Sequence, residues 1–291
     1  MPIILSAFTI TTNAIKNQYP IIESVKSIMP LVDEVVIVDG GSTDGTIELL
    51  RALGDKVKVI IDKDTIWEND WTYWRMGKNW NRAFHECKGD WLIKFDADYI
   101  IDNNYNFRSE CEHTDCYIIE MDRYNFLLVD RFFRKTKKTL AVNVAKAKRD
   151  GLHIEWGYDL NWGLCDEAVI YEKFENNLIQ GTLLSKIDRH KITTPLGIYN
   201  YSYCFRDEQT SKELFFRNMR AFYRQQGKRF KDAERNWQDN VSGCLNRMRS
   251  PQLKIQITQH PEEIRERIEK LTPDLGGYNL WGKWEKADYY D

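Results

Sequence analysis

The sequence predicts an α/β fold, a mostly parallel β-sheet flanked by helices with a C-terminal helical extension, and three observations predict it. Apolar runs of strand length alternate with helical spacings through the first hundred residues. Aspartates stand where those predicted strands end, at Asp39, Asp96 and Asp98. The last third of the chain instead interleaves basic and aromatic residues at helical spacing. The expected organisation is a binding and catalytic domain over residues 1–205 and a basic, mainly helical region over 206–291.

Ile3-Ile4-Leu5 is a short apolar run that reads as the first strand. From Tyr19 to Val32 the apolar residues fall at 21, 22, 25 and 28, a helical spacing with Pro20 suited to the first turn. "EVVIVDGG" is a β-branched strand closing on Asp39, and Ser42-Thr43-Asp44 reads as a cap opening the helix "TIELLRAL". "KVKVII" follows as a strand, then a Trp-rich loop, then "GKNWNRAFHEC" as a helix stopped by Lys88-Gly89, and "WLIKF" as a fourth strand. Sheets built this way bind ligands beyond the carboxyl ends of their strands, where the three aspartates lie. Further strands are expected in "CYIIEM", "FLLVDRFFRK", "TLAVNVAKA" and "EAVIYEKF".

Composition narrows the class. A chain of 291 residues with 42% hydrophobic content can bury a sizeable core. The net charge of −2 disfavours a surface that tracks a nucleic-acid backbone throughout, but Lys212–Lys254 holds eleven Lys/Arg against four Asp/Glu. That basic stretch reads first as a solvated helix face, with an acidic acceptor or a membrane surface as its functional alternative. No run of 18 apolar residues and no signal-peptide pattern at Met1 point to a cytoplasmic protein, with peripheral contact at the inner membrane face as the further expectation. The six cysteines have no zinc-ribbon or finger spacing, so reduced thiols are expected. No Gly-x-Gly-x-x-Gly follows the first strand and no Gly-Lys-Ser/Thr loop is present, which disfavours Rossmann and P-loop nucleotide binding.

"EVVIVDGGSTDGT" followed by "GKNWNRAFHECKGDWLIKFDAD" resembles the nucleotide-sugar-binding half of family 2 glycosyltransferases with the GT-A fold, over roughly Ile3 to Ile101. The resemblance implies that Asp39 contacts the nucleotide base, with Ser42 beside it, and that the loop Thr9–Asn13, through Thr9, Thr11 and Asn13, helps cover it. It implies that Asp96 and Asp98 hold Mn²⁺ or Mg²⁺ on the donor diphosphate, which agrees with the few protein carboxylates such ions require. Where the family often has Ala-Arg-Asn this chain reads Asn79-Trp80-Asn81, leaving Arg75 and Lys78 as candidate partners of the diphosphate.

The second half is similar in patches to lipopolysaccharide-core-type members: "VDRFFRK", "CDEAVIY" and "YNYSYCFRDEQTSKELFFRNMRAFYRQ". An inverting transfer needs a carboxylate to take the proton of the attacking hydroxyl. Glu167, at the motif position, and Asp166 are the catalytic candidates, with Asp159 behind them. His153 and His190 are isolated and read as bland, and the tryptophans read as core before sugar platforms.

The expectation is a metal-dependent inverting glycosyltransferase using a nucleoside-diphosphate sugar, UDP-linked by the resemblance, on a glycan or lipid-linked saccharide. A hydroxymethylated base in DNA is the alternative acceptor, and a non-catalytic nucleotide-sugar or glycan-binding protein the alternative class.

Overall fold

The computed structural model describes residues 2–62, 72–102, 106–128, 131–156, 168–174, 177–183, 189–191, 197–202, 204–225, 227–248, 253–254 and 257–271. The first half alternates as the sequence predicts: β1 (Leu5–Thr11), α1 (Ile21–Ile28), β2 (Glu34–Asp39), α2 (Thr46–Arg51), β3 (Val57–Ile61), α3 (Tyr73–His85) and β4 (Trp91–Lys94). β1 pairs in parallel with both β2 and β4, and β2 with β3. Period-two alternation sends Val35 and Ile37 to one face, against α1, and Val36 and Val38 to the other, against Trp80 and Phe84 of α3. A sheet covered on both faces explains why these strands read as continuous apolar runs.

Four elements differ from the expectation. The first strand runs on to Thr11, and its polar Ser6, Thr9 and Thr11 are buried with the rest. α3 begins at Tyr73, four residues before "GKNW", because the Thr72 side chain caps it by accepting the Arg75 N–H at 3.1 Å. "FLLVDRFFRK" is divided between the two arms of a long antiparallel pair, β6 (Ile118–Leu128) and β7 (Arg131–Asn143). β7 then ends where Asn143 caps α5 (Val144–Arg149), which takes the second half of "TLAVNVAKA" into a helix.

β5 (Tyr99–Ile101) leaves the loop after β4 for the far edge of the sheet, and α4 (Phe107–His113) follows it. With β12 (Ile198–Asn200) the main path runs β3-β2-β1-β4-β7-β6-β12-β5, parallel at first and mixed beyond β4. β8 (Leu152–Trp156), β9 (Ala168–Phe174) and β10 (Asn177–Leu183) form a separate antiparallel sheet, while β11 (Arg189–Lys191) and β13 (Leu253–Lys254) add to β6 and β7. α6 (Glu208–Gln225), α7 (Ala233–Met248) and α8 (Glu262–Leu271) supply the helical extension. α8 closes a third cluster in which Ile264 and Ile268 join Phe126, Tyr199 and Tyr201.

Candidate active site

Asp39 ends β2 fully buried, and its carboxylate accepts both donors of one residue, the Ser42 N–H at 2.7 Å and the Ser42 hydroxyl at 2.6 Å. Burial pushes its pKa up, against the lowering effect of the Ser42 hydrogen bonds. Ser42 Oγ in turn accepts the Asn13 N–H at 2.6 Å, and Asn13 Oδ1 accepts the Thr43 N–H at 2.8 Å. Asn13 makes this contact from the left-handed region, φ 45°, which asparagine tolerates better than most side chains. The loops after β1 and β2 are thus tied to each other, with Thr11 and Asn13 on one side and Asp39 and Ser42 on the other. Thr9 lies deeper, buried within β1.

A cavity of about 410 Å³ opens beside this network, beyond the carboxyl ends of β1 and β4. Thr11, Thr12, Trp80, Asp96, Asp98 and Arg123 are among the residues that line it. The hydroxyls of Thr11 and Thr12 are buried and have no hydrogen-bond partner among the described residues. Such orphaned groups cost free energy unless something fills them, so they mark a wall shaped for a polar ligand.

The Asp96–Asp98 loop is held from beneath by two serines on α1, both fully buried. Ser24 Oγ lies 3.0 Å from the Asp96 carbonyl and 2.6 Å from the Tyr99 carbonyl, and Ser27 Oγ accepts the Ile101 N–H at 3.0 Å. Each aspartate also has a cation. Lys94, only 1% exposed, follows Leu92 in the alternation of β4 onto the α3 face, and its Nζ stands 2.5 Å from Asp96 Oδ1 and 4.3 Å from the Trp80 ring centroid. Arg206 lies 3.4 Å from Asp98 Oδ2 while its guanidinium stacks 3.9 Å over Tyr19. Burial pushes the Asp98 pKa up, and Arg206 opposes that shift.

These residues fit a divalent cation. Two carboxylates of one loop reach the cavity, and the burial cost of charging Asp98 is one that a bound cation relieves. Among the described residues no group of three or more His, Cys, Asp or Glu forms a cage, so an ion here would complete its shell with water and substrate oxygens, as Mg²⁺ commonly does.

Of the two basic candidates on α3, Lys78 is exposed, and neither it nor Arg75 lines the cavity. Among the described residues, the cations at the site are Lys94, Arg123, Arg206 and Arg217. Lys94 had a visible signal, a lone charge inside the apolar run "WLIKF"; Arg123 sits in β6 with nothing local to mark it. Glu167, Asp166 and Asp159 lie outside the described residues, Glu167 immediately before β9. Trp156 is core, fully buried against Phe8 and Phe84. Cys87 and Cys111 are free thiols.

Two carboxylates beyond the carboxyl ends of a parallel sheet stand where such sheets bind ligands, and comparison with known proteins bears on this segment. Residues 6–108 match the family described as glycosyl transferase family 2. It is similar to an uncharacterized glycosyltransferase of Rickettsia bellii, 38% identical over 96 residues that cover 32% of this chain and 27% of the relative. A counterpart in Rickettsia felis is 38% identical over 96 residues, covering 32% and 28%. The match therefore spans less than a third of the length of these curated relatives. Among solved structures, Staphylococcus aureus TarS 1–349 is similar at a TM-score of 0.45 and 14% identity, covering 85% of this chain and 72% of that one. The Pyrobaculum calidifontis mannosyltransferase PcManGT, in complex with GDP-Man and Mn²⁺, is similar at 0.36 and 14%, covering 52% and 47%.

Proposed function

We propose that this protein transfers a sugar, with inversion, from a nucleoside-diphosphate sugar, UDP-linked by expectation, to a hydroxyl of a saccharide or lipid-linked saccharide. The observation that carries the reading is the Asp96–Asp98 loop facing a cavity also lined by Thr11 and Thr12, which lie next to Asn13, itself tied through Ser42 to Asp39, all within the family-matched segment.

In this reading the Asp39 carboxylate, held in place by Ser42, accepts from the nucleotide base, and the unpartnered Thr11 and Thr12 hydroxyls bind the ribose and the phosphates behind it. Asp96 and Asp98 hold Mn²⁺ or Mg²⁺, which when bound supplies charge neutralisation for the departing diphosphate. Lys94 orients Asp96, and Arg206 orients Asp98 and favours its ionised form, before the donor arrives. Glu167, or Asp166 one residue earlier, takes the proton of the attacking hydroxyl. On α6, Arg217 and Asn218 close the cavity from the C-terminal side. Arg220, Arg224, Lys228, Arg229 and Lys231 are exposed at the α6–α7 corner, and an anionic or lipid-linked acceptor at a membrane face suits that surface.

The test is release of nucleoside diphosphate from a panel of UDP-, GDP- and dTDP-sugars, with and without Mn²⁺. Release from one nucleotide class, stimulated by Mn²⁺, is the expected result. Tight binding without turnover on any donor or acceptor would make this a nucleotide-sugar-binding protein instead.

A further inference from the structure

Lys94 and Arg206 each have a carboxylate, but Arg123, on the opposite wall of the cavity, has none among the described residues. Arg123 lies in β6, paired in register with Ile198 of β12 and separated from β4 by β7. Its Nη1 donates to the Tyr99 hydroxyl at 2.6 Å and its Nε to Thr136 Oγ1 at 3.2 Å. Its guanidinium carbon is 5.8 Å from the Tyr99 ring centroid. Both hydrogen-bond partners are neutral, and among the described residues no carboxylate pairs with it. Two of the five guanidinium donors are used and the fork is fixed in direction at the cavity wall.

The same wall is polar and neutral around it. Asn200 donates from Nδ2 to Asn125 Oδ1 at 2.9 Å, and the Ser202 hydroxyl donates to Asn200 Oδ1 at 2.6 Å. Asn125 and Arg123 share one face of β6, and Asn200 and Ser202 line the cavity beside them. Amides and hydroxyls in a row match sugar hydroxyls; the Arg123 guanidinium among them, with no carboxylate partner among the described residues, matches one oxyanion, bound bidentately.

We infer that Arg123 anchors an oxyanion, a phosphate or a carboxylate, carried by the acceptor. The inference rests on the donor site proposed above and deepens it by assigning the acceptor's charge. The acceptor is favoured over the donor diphosphate because the base and metal groups come from the β1, β2 and β4 ends, whereas Arg123 and the Asn125–Asn200–Ser202 strip belong to β6, β12 and the turn after it. On the donor side, Lys94 and Arg206 hold the aspartates of the proposed metal loop.

The experiment titrates inorganic phosphate into the full chain saturated with UDP and Mg²⁺, and separately titrates UDP with Mg²⁺, for wild type, Arg123→Gln and Arg123→Lys. Wild type is expected to bind phosphate saturably. Arg123→Gln should weaken phosphate by about tenfold or more, and Arg123→Lys, which keeps the charge but loses the fork, by less, while UDP affinity stays within about twofold in both. Arg123→Lys also keeps the comparison available if the glutamine variant does not fold. Absence of saturable phosphate binding by wild type, or equal phosphate affinity in all three proteins, overturns the inference. So does a parallel loss of UDP affinity, which would assign Arg123 to the donor. Failure of wild type to bind UDP at all is separately visible and removes the donor site on which the inference stands.

Discussion

Asp39 accepts two hydrogen bonds from Ser42 and still has lone pairs to offer, because a carboxylate has about four acceptor positions. A base contact of this kind is made alike in the ground and transition states, so it governs donor binding more than the chemical step. Asp39→Ala should therefore raise the donor KM by about tenfold, roughly 1.4 kcal/mol, with kcat little changed. Steady-state kinetics with varied donor checks it; a fall in kcat at constant KM would move Asp39 from base recognition to assembly of the metal loop. Asp39, Asp96 and Asp98 are legible in the sequence because each closes a run whose β-branched or aromatic character marks a strand. The cations around them are less so. Arg206 reaches Asp98 from 108 positions away and Arg123 lines the cavity from the far half of the sheet, and no local pattern encodes that meeting.

At the scale of elements, α1 looks in sequence like an ordinary amphipathic helix, with Ile21, Val25 and Ile28 on its buried stripe. Ser24 and Ser27 share that stripe, and the structure shows why: they supply hydrogen bonds to the backbone that carries Asp96, Tyr99 and Ile101. Removing one buried partner and leaving a carbonyl unsatisfied costs about 1–3 kcal/mol. Ser24→Ala should thus lower the melting temperature by several degrees, at about 2–4 °C per kcal/mol for a chain of this size class, and also weaken Mn²⁺ binding. Calorimetric melting together with a Mn²⁺ titration separates the two effects: lost stability with unchanged Mn²⁺ affinity would leave Ser24 a purely structural contact. The parallel half of the sheet is legible because its strands and helices alternate locally. The β6–β7 hairpin is not, since its strands are longer than the runs "CYIIEM" and "FLLVDRFFRK" suggest, and polar residues such as Asn125 and the cavity-lining Arg123 within β6 interrupt the apolar signal.

Across the whole molecule, the N-terminal sheet supplies the nucleotide wall and the metal loop, and β6, β12 and α6 supply the opposite wall. The family resemblance covers the first of these and fades over the second, where fold topology rather than motif brings Arg123, Asn200 and Arg217 to the cavity. The central claim is that Asp96 and Asp98 bind a divalent cation together with a nucleoside diphosphate. The most direct measurement is titration calorimetry of UDP with and without Mn²⁺, on wild type and on Asp96→Ala. The account predicts that Mn²⁺ tightens UDP binding to wild type by about tenfold or more and that Asp96→Ala abolishes this gain while retaining the native melting transition. An unchanged Mn²⁺-dependent gain in Asp96→Ala would contradict it.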